Sequence, residues 1–99
     1  MPNIKTKIIA TIGPTSSDKS IISQLIHAGV NVFRINMSHF RTNESFENTV
    51  KIIREGSEEQ NKYIGILVDL SGPKIRVDLS HSQNKAIQIE KNKEYSLGF

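Results

Sequence analysis

In the stretch "FRINMSHF" (residues 33–40), Arg34, Asn36 and Ser38 stand on alternate positions. In an extended strand these three share one face, and Phe33, Ile35 and Met37 share the other. A guanidinium in step with an amide and a hydroxyl suits an anion, because arginine offers a planar fork of donors to a carboxylate or phosphate. The same arginine serves equally well in a structural ion pair. Asp69 closes an apolar run just ahead of Ser71-Gly72-Pro73, and it reads both as a site carboxylate and as a side chain capping a turn. Lys74 and Arg76, two apart in an extended segment, point the same way, either toward a ligand or as a solvated edge that discourages aggregation. His39 follows Ser38 directly. His27 lies in a helical pattern and His81 in a polar loop, and both read as surface or boundary residues.

The elements that must position these groups alternate. "KIIATI" (Lys7 to Ile12) is a short β-rich run that ends at Gly13-Pro14, a strand entering a loop. "SSDKSIISQLIHAG" offers serine and aspartate as N-caps, apolar Ile21, Ile22, Leu25 and Ile26 at helical spacing, and Gly29 as terminator. "NVFRINMSH" is the second strand. "NESFENTVKIIREG" is the second helix, with Phe46, Val50 and Ile53 on one stripe, Glu47 and Lys51 as an i,i+4 pair, and Gly56 near its end. "YIGILVDL" is a nearly continuous apolar run, the pattern of a parallel strand covered on both faces.

A βαβαβ order predicts a parallel sheet with right-handed crossovers and ligands at the carboxyl ends of its strands. The polar groups fall there. Gly13, Pro14, Thr15 and Ser16 follow strand one, Asn36, Ser38 and His39 end strand two, and Asp69, Ser71, Gly72, Lys74 and Arg76 follow strand three. Their convergence predicts a site. "ATIGP" by itself lacks the spacing of a phosphate-cradling loop or dinucleotide fingerprint. After Pro73, "IRVDL", "AIQIE" and "EYSLGF" alternate polar and apolar residues, joined by "SHSQNK" and "KNK", which predicts antiparallel strands of a second unit.

Composition narrows the function classes. The 99 residues suffice for one modest core. There is no cysteine, so neither a disulfide framework nor a cysteine-based metal site is available. No apolar run approaches the roughly 18 residues of a membrane span, and the amino end carries no uninterrupted apolar stretch of the secretory kind. A soluble, cytoplasmic protein with no membrane partner is expected. The formal charge is +3, but 13 lysines and arginines are scattered among 10 acids, and only 6% of residues are aromatic; a nucleic-acid partner is not expected.

"TKIIATIGPTSSD", "AGVNVFRINMSH" and "LVDLSGPKIR" stand in the order and approximate spacing of the amino-terminal part of pyruvate kinase, and the resemblance extends, more weakly, from about Lys5 to the end. That family transfers the phosphoryl group of phosphoenolpyruvate to ADP, giving pyruvate and ATP in glycolysis with Mg²⁺, commonly as a homotetramer. Its large domain is an eight-stranded α/β barrel with a small β domain inserted after strand three. The resemblance implies residues 1–73 as the first part of that barrel and residues 74–99 as the incomplete start of the inserted domain.

Carried over by motif, Arg34 resembles the arginine that grips the transferring phosphoryl group, both catalytic and substrate-binding. Asn36, Ser38, Asp69 and the carbonyl of Leu70 resemble the oxygen donors of a monovalent-cation site. Asn36, Met37, Ser38 and His39 resemble part of the nucleotide pocket, with Pro14 lining it and Arg76 contacting nucleotide phosphate. Lys74 stands where potassium-dependent members carry glutamate, and Leu70 where they carry threonine. This resembles the potassium-independent class, in which a lysine ammonium takes the charge role of K⁺. Phe40 replaces the glycine that usually follows the Ser-His pair. The family's enolate-directed lysine and Mg²⁺ carboxylates lie on later strands, so the 99-residue chain alone is expected to be inactive. The alternative is a short non-catalytic module that binds nucleotide or another subunit.

Overall fold

The computed structural model describes residues 4–40, 42–78, 86–96 and 98. Its elements run β1 (Ile9–Thr11), α1 (Lys19–Ala28), β2 (Val32–Asn36), a 3₁₀ turn (Met37–His39), α2 (Asn43–Glu59) and β3 (Gly65–Asp69). The three strands form one parallel sheet in the order β1-β2-β3. The alternation expected from the sequence is therefore present, with shorter strands.

Local chemistry explains the helix limits. Asp18 caps α1 by accepting the Ser20 amide at 2.8 Å, which satisfies a donor left unpaired in the first turn. Gly29 ends it at φ +113°, in the left-handed region that a side chain rarely adopts, and the Val30 amide returns to the Leu25 carbonyl at 3.0 Å. Thr42 caps α2 through the Ser45 amide. This helix runs past Gly56 to Glu59. Gly56 thus lies near its end, as expected, and is in addition a buried contact residue against Ile26. The ion pair that Lys51 makes is with Glu55, at 3.9 Å, instead of the expected Glu47.

Both helices cover one face of the sheet. Phe33 and Ile35 of β2 point into it and are fully buried against Ile22 and Ile26 of α1 and Ile53 of α2, with Ile12, Val30 and Ile64 closing the cluster. Burying each large apolar side chain contributes about 1.5–3 kcal/mol, so this row of isoleucines around one phenylalanine dominates the cohesion. Polar ties pin the periphery: Lys19 bridges Glu55 and Glu59 at 3.0 and 3.2 Å, and Lys62 Nζ donates to the Ile26 carbonyl at 2.9 Å, at the negative end of α1.

The other face of the sheet is uncovered by these elements. β3 was expected to be buried on both sides, but Leu67, on this uncovered face, is 43% exposed, and Val68, on the helix side in register with Ile35, is 40% exposed. The expected strands beyond Asp69 are likewise not formed among the described residues; Ile75, Val77, Ile87 and Ile89 are exposed. Alternation creates an apolar face, but a strand exists only through a ladder to a neighbour. The turn expected at "KNK" is present, with Asn92 at φ +65° and the Lys93 amide on the Glu90 carbonyl at 3.4 Å. His81 and the rest of "SHSQNK" lie outside the described residues.

Candidate functional site

The uncovered face carries the polar row. Parallel pairing sets Thr11 of β1 beside Arg34 of β2 and Leu67 of β3, and Asn36 beside Asp69. Because side chains alternate, this row lies opposite the Ala10, Phe33 and Ile66 row that packs on the helices. The row sits toward the carboxyl ends of all three strands, where an open parallel sheet presents its ligands.

Arg34 is its centre. One terminal nitrogen, Nη2, forms an ion pair with Asp69 Oδ2, and the other, Nη1, donates to Thr11 Oγ1 at 3.3 Å. The arginine side chain is 33% exposed and the aspartate 44% exposed, so the pair is reachable by solvent and by a ligand. Of the two readings of Arg34 left open by its position in a strand, the structural ion pair is present, and the side chain also faces outward. Among the described residues two of its five N–H donors are engaged, by Thr11 and Asp69.

The strand alternation breaks after Asn36. The Asn36 side-chain oxygen accepts the Ser38 amide at 3.0 Å and caps the 3₁₀ turn Met37–His39. Asparagine offers its own backbone an alternative to the sheet ladder, so Ser38 does not continue the row of Arg34 and Asn36. Ser38 and His39 are exposed, and Met37 packs against the core. Of the oxygens expected to hold a monovalent cation, the Asn36 Oδ1 and one Asp69 oxygen thus already have protein partners, and Leu70, whose carbonyl was expected to join them, is exposed.

Beside this row, a hollow of about 210 Å³ is lined by Gly13, Pro14, Ser17, His39, Phe40 and Thr49, among others. It brings together Pro14 and His39, two residues expected near one another. Phe40 forms its wall and stands edge-on to Phe46 of α2, with ring centroids 6.3 Å apart and planes at 87°. Lys74 and Arg76 lie in the exposed stretch after β3, and among the described residues no contact joins them to the Arg34 cluster. Among the described residues there is no group of three or more His, Asp or Glu side chains able to hold one metal ion.

Thr11 was not among the residues singled out from the sequence. Its only signal there was its place in a strand, and its neighbour is 23 positions away; sheet register alone brings the two together.

A parallel sheet with strands in sequential order and both α-helices packed on one face defines an α/β protein of the βαβαβ kind. The family model of the pyruvate kinase barrel domain matches residues 3–99. The chain belongs to the pyruvate kinase family. A pyruvate kinase from Methylorubrum extorquens is 49% identical over 73 residues, which cover 74% of this chain and 15% of that protein. Pyruvate kinase 2 from Synechocystis is 40% identical over 93 residues, covering 94% of this chain and 16% of that protein. A crystal structure of a pyruvate kinase from Cryptosporidium parvum superposes with a TM-score of 0.66 at 38% identity, over 70% of this chain and 14% of that one. The chain thus spans about one sixth or less of the length of these relatives.

Proposed function

We propose that this segment serves a pyruvate kinase that moves the phosphoryl group of phosphoenolpyruvate to ADP. The observation that carries the reading is the Arg34 guanidinium, presented outward at the carboxyl edge of the sheet. In the reaction the bond from phosphorus to the enol oxygen breaks, and a bond to the terminal phosphate oxygen of ADP forms. The enolate carbon then takes up a proton to give pyruvate. Negative charge on the equatorial phosphoryl oxygens is greatest in flight, where a fixed positive fork stabilises it most.

In this reading Arg34 is the catalytic residue of the segment, and the hollow between Pro14 and His39 belongs to the nucleotide pocket, with Asn36, Met37 and Ser38 on its border and Arg76 reaching nucleotide phosphate. The divalent cation supplies charge neutralisation at the phosphates when bound, and its ligands come from beyond the described residues. Lys74 supplies the charge of a monovalent cation, so K⁺ is not required. Residues 1–73 belong to the barrel and residues 74–99 to an inserted β domain. The working protein is cytoplasmic and homotetrameric.

The test is an assay of the native polypeptide that carries this segment, purified from its own cells. Formation of ATP and pyruvate in equal amounts from phosphoenolpyruvate and ADP is expected. A folded protein that binds ADP and forms neither product would replace this reading with the non-catalytic module.

A further inference from the structure

We propose that Thr11 is a positioning residue for Arg34, one half of a two-sided brace whose other half is Asp69. This inference rests on the reading of Arg34 as the grip on the transferring phosphoryl group. The brace spans the whole sheet. Asp69 on β3 takes Nη2, while Thr11 on β1, in direct register with Arg34, accepts from Nη1 at 3.3 Å. An arginine carries about 2 kcal/mol of rotamer entropy, and a single carboxylate at one end would still let the guanidinium plane pivot about that contact. A second contact at the other terminal nitrogen, coming from the opposite flanking strand, fixes the plane as well as the position.

The chemistry of threonine suits the task. Its β-branched side chain is stiff about χ1 in a strand, so its oxygen is held by the backbone of β1 and not by a flexible arm. A hydroxyl also engages one N–H without adding charge that would compete with the substrate for the cation. A bland role as strand former is separable from this one, because valine fills the same shape and favours strands equally.

The experiment compares Thr11→Val and Thr11→Ser in the full native enzyme, with Arg34→Ala as reference. Thr11→Val is expected to lower kcat/KM for phosphoenolpyruvate about 5-fold, the loss of one exposed hydrogen bond to a charged group. The KM for ADP and the thermal midpoint stay unchanged, and Thr11→Ser restores activity to within about twofold. A Thr11→Val enzyme equal to wild type, a Thr11→Ser enzyme as impaired as Thr11→Val, or equal losses for both substrates with a lowered midpoint would each overturn the brace. If Arg34→Ala itself leaves the activity intact, the phosphoryl-grip reading fails first. If Arg34→Ala abolishes activity while Thr11→Val is silent, only the inference about Thr11 fails.

Discussion

Gly56 of α2 presses against Ile26 of α1 so closely that a Cβ on Gly56 would stand 2.9 Å from the Ile26 Cδ1. Ile26 is fully buried and Gly56 is buried, so neither can yield freely. Interior glycine costs a helix about 1 kcal/mol relative to alanine, which makes the close approach of the two helices the reason for its presence. Overpacking costs about 1–3 kcal/mol, more than the helical gain. Gly56→Ala is therefore expected to destabilise by about 1 kcal/mol. In an Ile26→Val background, where the Cδ1 is gone, the same change should turn neutral or stabilising. A double-mutant cycle by denaturant unfolding reads this coupling directly, and additive effects would refute the contact.

Lys19 ties the helices at their exposed side. Hydrogen bonds to Glu55 and then Glu59 raise the Lys19 pKa above 10.5, and the Lys19 ammonium lowers that of Glu55 below 4.5. A lowered carboxylate stabilises the fold above its unfolded pKa and loses that contribution as pH falls through the folded value. A raised ammonium does so below its unfolded pKa and loses it as pH rises through the folded value. The pair therefore contributes between about pH 4.5 and 10.5, and salt weakens it because all three side chains are exposed. The difference in thermal midpoint between wild type and Lys19→Met should be flat across that window, shrink at both ends, and shrink in about 1 M salt. A difference that persists undiminished at about pH 3 would count against the pair.

Arg34→Lys keeps a positive charge but loses the fork. One ammonium cannot hold Asp69 and Thr11 and still present a planar set of donors outward. In the native enzyme kcat/KM for phosphoenolpyruvate should drop by about 10²-fold, the cost of one preorganised donor at a developing charge, with the circular dichroism spectrum unchanged. Wild-type kinetics for this variant would remove Arg34 from the chemistry.

Lys74 leads to a prediction about ions. Under the role proposed for Lys74, replacing K⁺ in the assay by a bulky organic cation should leave the rate unchanged, the ammonium taking the place of the cation's charge. Lys74→Glu should make the rate depend on K⁺. Strong activation of the wild-type enzyme by K⁺ would contradict the role given to Lys74.

Much of the architecture was legible because it is written in local pattern. Asp18 and Gly29 bound α1 as their types require, and apolar spacing marks which faces of α1 and α2 turn inward. Errors arose where a side chain competed with the pattern. Asn36 looks like one more strand position, yet its amide oxygen captures the Ser38 amide and ends β2. The place of Gly56 near the end of α2 was legible, but its contact with Ile26 was not.

The sequence by itself determined the strand–helix alternation, the edge of the sheet where polar groups collect, and Arg34 as the residue to watch, since each depends on spacing within about one turn or one strand. Only the tertiary structure decided what Arg34 touches. Thr11 and Asp69 are 23 and 35 positions away; Asp69 was marked by its place at a strand end, but nothing local tied it to Arg34 or marked Thr11. Their meeting depends on the register of two parallel ladders; a shift of one residue in either ladder would turn Thr11 or Asp69 to the face opposite Arg34.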